Sequence, residues 1–87
     1  MNLENLRTEI EKIDKFIIAS MAKREKISFK IGELKKEMGI QIYDSEREEK
    51  LNNYYRKLSE KYNLDPVFIL EIFSLVIKNS RTIQKRK

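Results

Sequence analysis

The chain has 87 residues, 38% of them charged, a formal net charge of +5, and neither cysteine nor histidine. These absences exclude disulfides, thiolate metal sites and every nucleophile that relies on a histidine base, so an enzyme of this composition must manage with little proton transfer. The basic balance, with a pI near 9.5, suits an anionic partner: nucleic acid, a membrane surface or a small acid.

Two glycines, one proline and no strand-like alternation predict an all-α chain folded as a single domain over residues 1–87. Leu3, Leu6, Ile10, Ile13 and Ile17 step by threes and fours, and Ile27, Ile31, Leu34 and Met38 resume the phase until Gly39 ends it. That predicts one helix from Leu3 to Met38, roughly 50 Å long at the α-helical rise. Two shorter helices can shield only part of such a rod, so a second chain is expected to cover the rest. The stretch "GIQIY" reads as a loop, followed by a helix from Ser45 to about Tyr62. Ser45 and Glu48 have capping-box spacing, with Asp44 as the alternative cap. "NLDP" marks the next turn, with Asp65 capping and Pro66 opening a third helix that runs to about Lys85. It is apolar almost all round as far as Ile77 and is expected to be the most buried element. The charged start "MNLENLRTEIEK" lacks the apolar segment of a secretory signal, and the run Val67–Ile77 contains Glu71 and is too short to span a bilayer. A soluble cytoplasmic protein is expected.

Each helix carries polar residues on its apolar stripe. Along the first, Ile17, Ser20, Arg24, Ile27 and Ile31 share a seam, and Lys35 follows Arg24 within about 20° and ~16 Å. In the second, Arg47 and Glu48 sit one turn before Leu51, in line with Tyr55, Leu58 and Tyr62. In the third, Ile69, Phe73 and Val76 continue as Ser80 and Gln84. Singly, each has an ordinary explanation: Arg24 snorkels, Glu48 caps, Lys35 favours a helix end and Gln84 is solvated. Together they are harder to dismiss, because buried unpaired charge costs several kcal/mol and a dicarboxylate would satisfy the cations. Arg7 lies ~42 Å from Lys35 along the helix, so it reaches the same ligand only from an antiparallel partner chain. Otherwise it is a surface arginine.

The constellation resembles the all-helical (AroQ-type) chorismate mutases. The resemblance rests on the early arginine in "LENLRTEIEKID", the arginine in "AKREKIS", the lysine in "IGELKKE", the block "DSERE" and the late "NSRTIQ", in order over 78 residues from Arg7 to Gln84. It implies an intertwined homodimer of three-helix chains that converts chorismate to prephenate in aromatic amino acid biosynthesis. By the same resemblance, Arg24 with Ser80 would bind the ring carboxylate. Lys35 and the partner's Arg7 would hold the side-chain carboxylate, and Lys35 and Gln84 would donate to the ether oxygen. Glu48 and the backbone near Asp44 would take the ring hydroxyl, with Arg47 beside them. Lys35, Gln84 and Glu48 would then be the catalytic residues, with no metal and no cofactor. Ile31 and Ile77 fall where apolar walls are expected. Arg81 departs from the pattern, at a wall position where an apolar side chain is expected more often.

A [3,3] rearrangement needs no nucleophile, metal or obligatory proton transfer, which agrees with the composition. A ~10⁶-fold acceleration corresponds to about 8 kcal/mol, within reach of confinement and two well-placed donors. Two rivals stand beside this reading. An isochorismate-pyruvate lyase resembles the same fold, but Glu48, Gln84 and the full "DSERE" block favour the mutase. A basic helical binding module predicts cations massed on one outer face, whereas acidic residues are interspersed here and no aromatic-basic platform is evident. Neither nucleic acid nor membrane is an expected partner.

Overall fold

The computed structural model describes residues 2–86; Met1 and Lys87, the ends of the expected 1–87 domain, lie outside the described residues. Among these residues the chain forms three helices and no strand: α1 (Leu3–Met38), α2 (Ser45–Lys61) and α3 (Pro66–Gln84). None is long and apolar enough to cross a membrane.

The helix ends follow local chemistry. Asn2 caps α1 by accepting from Asn5 N at 2.8 Å. Gly39 closes it in the left-handed region (φ 67°), where Gly39 N and Ile40 N return to the carbonyls of Lys36 and Lys35. Asp44, not Ser45, caps α2, its Oδ1 accepting from Arg47 N at 3.0 Å. Ser45 is the first helical residue, so the capping box expected between Ser45 and Glu48 does not form, and the Glu48 side chain is available elsewhere. Asp65 accepts from Val67 N and Pro66 opens α3.

α3 packs against both other helices, while α1 and α2 make no close backbone approach to each other. Against α2, Phe73 stacks on Tyr55 with ring centroids 4.2 Å apart, and buried Ser59 donates back to Tyr55 O. Ile77 and Ile83 are buried on the inner face of α3. α3 is the most buried of the three helices, as expected, with Ile77, Ser80 and Ile83 buried, although Val67, Phe68 and Leu75 on its other faces are exposed.

Against α1, the close approach is at Gly32. A Cβ placed there would lie 2.6 Å from Gln84 Cα. Glycine inside a helix costs about 1 kcal/mol relative to alanine, yet alanine here would collide with backbone, which cannot swing aside as a side-chain tip can. We expect Gly32→Ala to lower stability by about 1–3 kcal/mol, as overpacking does, in urea unfolding at fixed protein concentration. A stabilised variant would show that helix propensity outweighs the collision.

The molecule measures 55 × 27 × 15 Å, its long dimension set by α1. Every residue from Asn2 to Lys23 is exposed, including Leu6, Ile10, Ile13 and Ile17 of the apolar stripe. The first half of α1 therefore projects past α2 and α3 with its apolar face bare.

Candidate functional site

A cavity of about 340 Å³ opens where the second half of α1, the C-terminal half of α3 and the start of α2 converge. The loop from Ile40 to Asp44 closes one side and contributes Ile42.

From α1 come Arg24 and Lys35, both half-buried. Arg24 Nη1 donates to Ser80 Oγ of α3, which also accepts from Ser28 Oγ at 3.2 Å. A hydroxyl has two acceptor lone pairs and one proton. With both acceptors engaged, Ser80 keeps its O–H to donate, and the anchored guanidinium retains most of its five N–H groups. Lys35 Nζ donates to Ile42 O at 2.8 Å. One of its three protons is thereby fixed on the loop, which orients the other two.

From α2 and its cap come Asp44, Arg47 and Glu48. Asp44 uses Oδ1 as the helix cap, and Glu48 stands half-buried in the wall. From α3 come Ser80, Arg81 and Gln84. Gln84 Oε1 is the one buried side-chain polar atom among the described residues without a hydrogen-bond partner. Arg81 Nη1 forms an ion pair with Glu48 Oε2, and its guanidinium lies 5.4 Å from the centre of the Tyr43 ring. The hydrogen bond to Glu48 raises the Arg81 pKa above the ordinary arginine value, with burial opposing and the charges of Glu48 and Tyr43 adding. Arg81 is thus firmly a cation.

The cavity therefore gathers seven of the eight residues singled out for substrate binding: Arg24, Lys35, Asp44, Arg47, Glu48, Ser80 and Gln84. The eighth, Arg7, is not among them. It lies on the projecting half of α1, exposed and paired with Glu4 at 2.9 Å. Ile31 and Ile77 line apolar wall as expected, joined by Leu51. Sequence reasoning passed over Ser28, although Arg24 and Ser28 are spaced i, i+4 and so share one face. It also passed over Ile42, whose carbonyl role has no side-chain signature.

Four cations and two carboxylates line the space, an excess of two positive charges. Coulomb attraction in a half-enclosed site of lowered dielectric favours a small dianion. The N–H and O–H groups of Arg24, Lys35 and Ser80 offer several directed donors, and the isoleucine walls fix shape. Such an arrangement can bind, fold and polarise an anionic molecule.

The sequence is similar to a known family and to three curated proteins. Residues 6–85 match the family model described as chorismate mutase type II. The chain is 32% identical to a chorismate mutase of Methanocaldococcus jannaschii over 84 residues, covering 97% of this chain and 85% of that protein. It is 40% identical over 80 residues to a bifunctional chorismate mutase/prephenate dehydratase of Buchnera aphidicola from Acyrthosiphon pisum, covering 92% of this chain. It is 32% identical over 85 residues to a T-protein of Enterobacter agglomerans, covering 98% of this chain. The chain spans only 21% and 23% of the length of those last two proteins.

Proposed function

The chain belongs to the type II chorismate mutase family, and from that premise we infer that it catalyses the unimolecular rearrangement of chorismate to prephenate. The activity is that of an isomerase, and it serves aromatic amino acid biosynthesis. The observation that carries this reading is the cavity, where donors from three helices face a space with two excess positive charges. Chorismate is a dianion of matching charge.

In this reading Arg24, braced by Ser80, grips the ring carboxylate. Lys35 grips the carboxylate of the enolpyruvyl side chain and, with Gln84, donates to the ether oxygen on which negative charge grows as the C–O bond breaks. Glu48 accepts from the ring hydroxyl, beside Asp44 and Arg47. Holding both carboxylates folds the flexible side chain over the ring, which removes much of the entropic part of the barrier. Donors fixed in advance at the ether oxygen stabilise the transition state more than the ground state, because they need not reorganise as charge appears. The Lys35–Ile42 hydrogen bond supports this assignment, since an ammonium group already tethered has less freedom to lose.

The active unit in this proposal is a homodimer of intertwined chains. The bare apolar stripe of the projecting half of α1 supports it, being an unusual surface for a lone soluble chain. In an antiparallel pair, Arg7 of the partner subunit would reach the carboxylate held by Lys35. The same proposal places the enzyme in the cytoplasm, without membrane or nucleic-acid partner.

The test is turnover of chorismate by purified protein, following the loss of its ultraviolet absorbance and identifying the product. Prephenate is expected. Pyruvate released from isochorismate, with chorismate untouched, would instead support the lyase.

A further inference from the structure

The mutase reading assigns no task to Arg81, yet this residue stands in the cavity wall with its charge directed at Glu48. The two side chains are 31% and 23% exposed, so neither is a loosely solvated surface group. They also come from different helices, α3 and α2, and meet because those helices pack against each other. We infer that Arg81 is a positioning residue for the reaction: it holds Glu48 so that one carboxylate oxygen faces the ring hydroxyl, and it cancels the charge of Glu48 toward the substrate dianion.

The geometry divides the work between the two oxygens of Glu48. Oε2 carries the bond to Arg81 Nη1, and Oε1 remains to accept from an incoming hydroxyl. A carboxylate anchored by one charged hydrogen bond has lost a torsional freedom that it would otherwise lose on binding substrate. Arg81 is itself held, its guanidinium lying over the Tyr43 ring. The other charged groups that line the cavity with Glu48 are Arg24 and Lys35 on α1, Asp44 and Arg47 at the start of α2, and Arg81 on α3. Removing Arg81 leaves three cations against two carboxylates, and leaves Glu48 half-buried beside a ligand that already carries two negative charges. An apolar side chain could fill the same wall, but it could neither aim nor neutralise that carboxylate.

This inference rests on the mutase reading, and the experiment separates the two. Chorismate kinetics are measured for the wild type, Arg81→Met, Arg81→Lys, Glu48→Gln and the Arg81→Met/Glu48→Gln double variant, with circular dichroism confirming that each is helical. A positioning role predicts that Arg81→Met raises KM about tenfold, the scale of one charged hydrogen bond, while kcat changes much less. Arg81→Lys should recover part of the loss, because it keeps the charge but not the fork. The cycle decides the route. With Glu48→Gln already present, Arg81→Met should change KM less than about threefold, since a neutral amide needs no counter-ion. An equal penalty in both backgrounds overturns the inference, because Arg81 would then act on the substrate or the fold without Glu48. An unchanged KM in Arg81→Met overturns it as well. A wild type that leaves chorismate untouched overturns the mutase reading, and this inference with it.

Discussion

Lys35→Ala is expected to lower kcat/KM for chorismate by about 10³-fold, with kcat carrying most of the loss. Deleting a single donor to a developing oxyanion costs about 10²–10³ in kcat, and Lys35 in the proposed mechanism also holds a substrate carboxylate. Its side chain bridges α1 to the Ile42 carbonyl on a partly exposed loop, so truncation removes one hydrogen bond at the cavity edge and leaves the packed faces intact. Circular dichroism should therefore remain that of the wild type. Arg24→Ala is the companion experiment. Arg24 engages Ser80, and its loss should raise KM steeply by freeing one end of the substrate. Near-normal turnover in both variants would sink the assignment of this cavity as the active site.

The second large effect is a gain. Arg7→Ala and Lys35→Ala chains, each inactive alone, should recover activity when unfolded together and refolded as a mixture. In a symmetric dimer with shared sites, a mixed pair holds one site with both residues intact and one that lacks both. Random pairing makes half the dimers mixed, so about a quarter of all sites should be intact. The structure of the single chain motivates this test directly. Arg7 sits on the projecting half of α1, ~42 Å along the axis from Lys35, where no substrate held in its own chain's cavity could touch it. Proven heterodimers with no recovered turnover would count against the shared site.

What was legible in the sequence was what neighbouring residues decide. Gly39, Asp44 and the Asp65–Pro66 pair act on the backbone within a few positions, so all three helices begin and end within a residue or two of where the pattern put them. The inward register of Arg24, Lys35, Glu48, Ser80 and Gln84 was also legible, because helical periodicity turns spacing into direction. Choices settled by distant parts of the chain were not. Ser45 and Asp44 competed for the same capping role, and Asp44 took it. Nothing in the pattern of the long helix marks Gly32, whose role is set by α3 lying across it, with Gln84 Cα 2.6 Å from where a Cβ would sit. Arg81 and Glu48 are 33 residues apart and on different helices, and no local pattern announces that pair. The third helix reads as buried from its apolar content, but burial needs a partner on each face. A single chain supplies that for only part of it.

The bare first half of α1 bears on how the protein comes to exist as well as on how it works. A helical segment that packs on nothing is weakly stable in water, because most helical stability in proteins comes from burying an apolar face, and backbone hydrogen bonds barely offset the chain entropy lost in ordering it. In the single chain the residues from Asn2 to Lys23 are all exposed, and the Asn2 cap and the solvent-exposed Glu4–Arg7 pair add little to hold them helical. If association supplies the missing contacts, dilution does more than separate two finished halves: it melts the segment that carries Arg7 and dismantles both shared sites with it. Folding, assembly and the capacity to react then become one cooperative event, set by how much of the chain a cell makes.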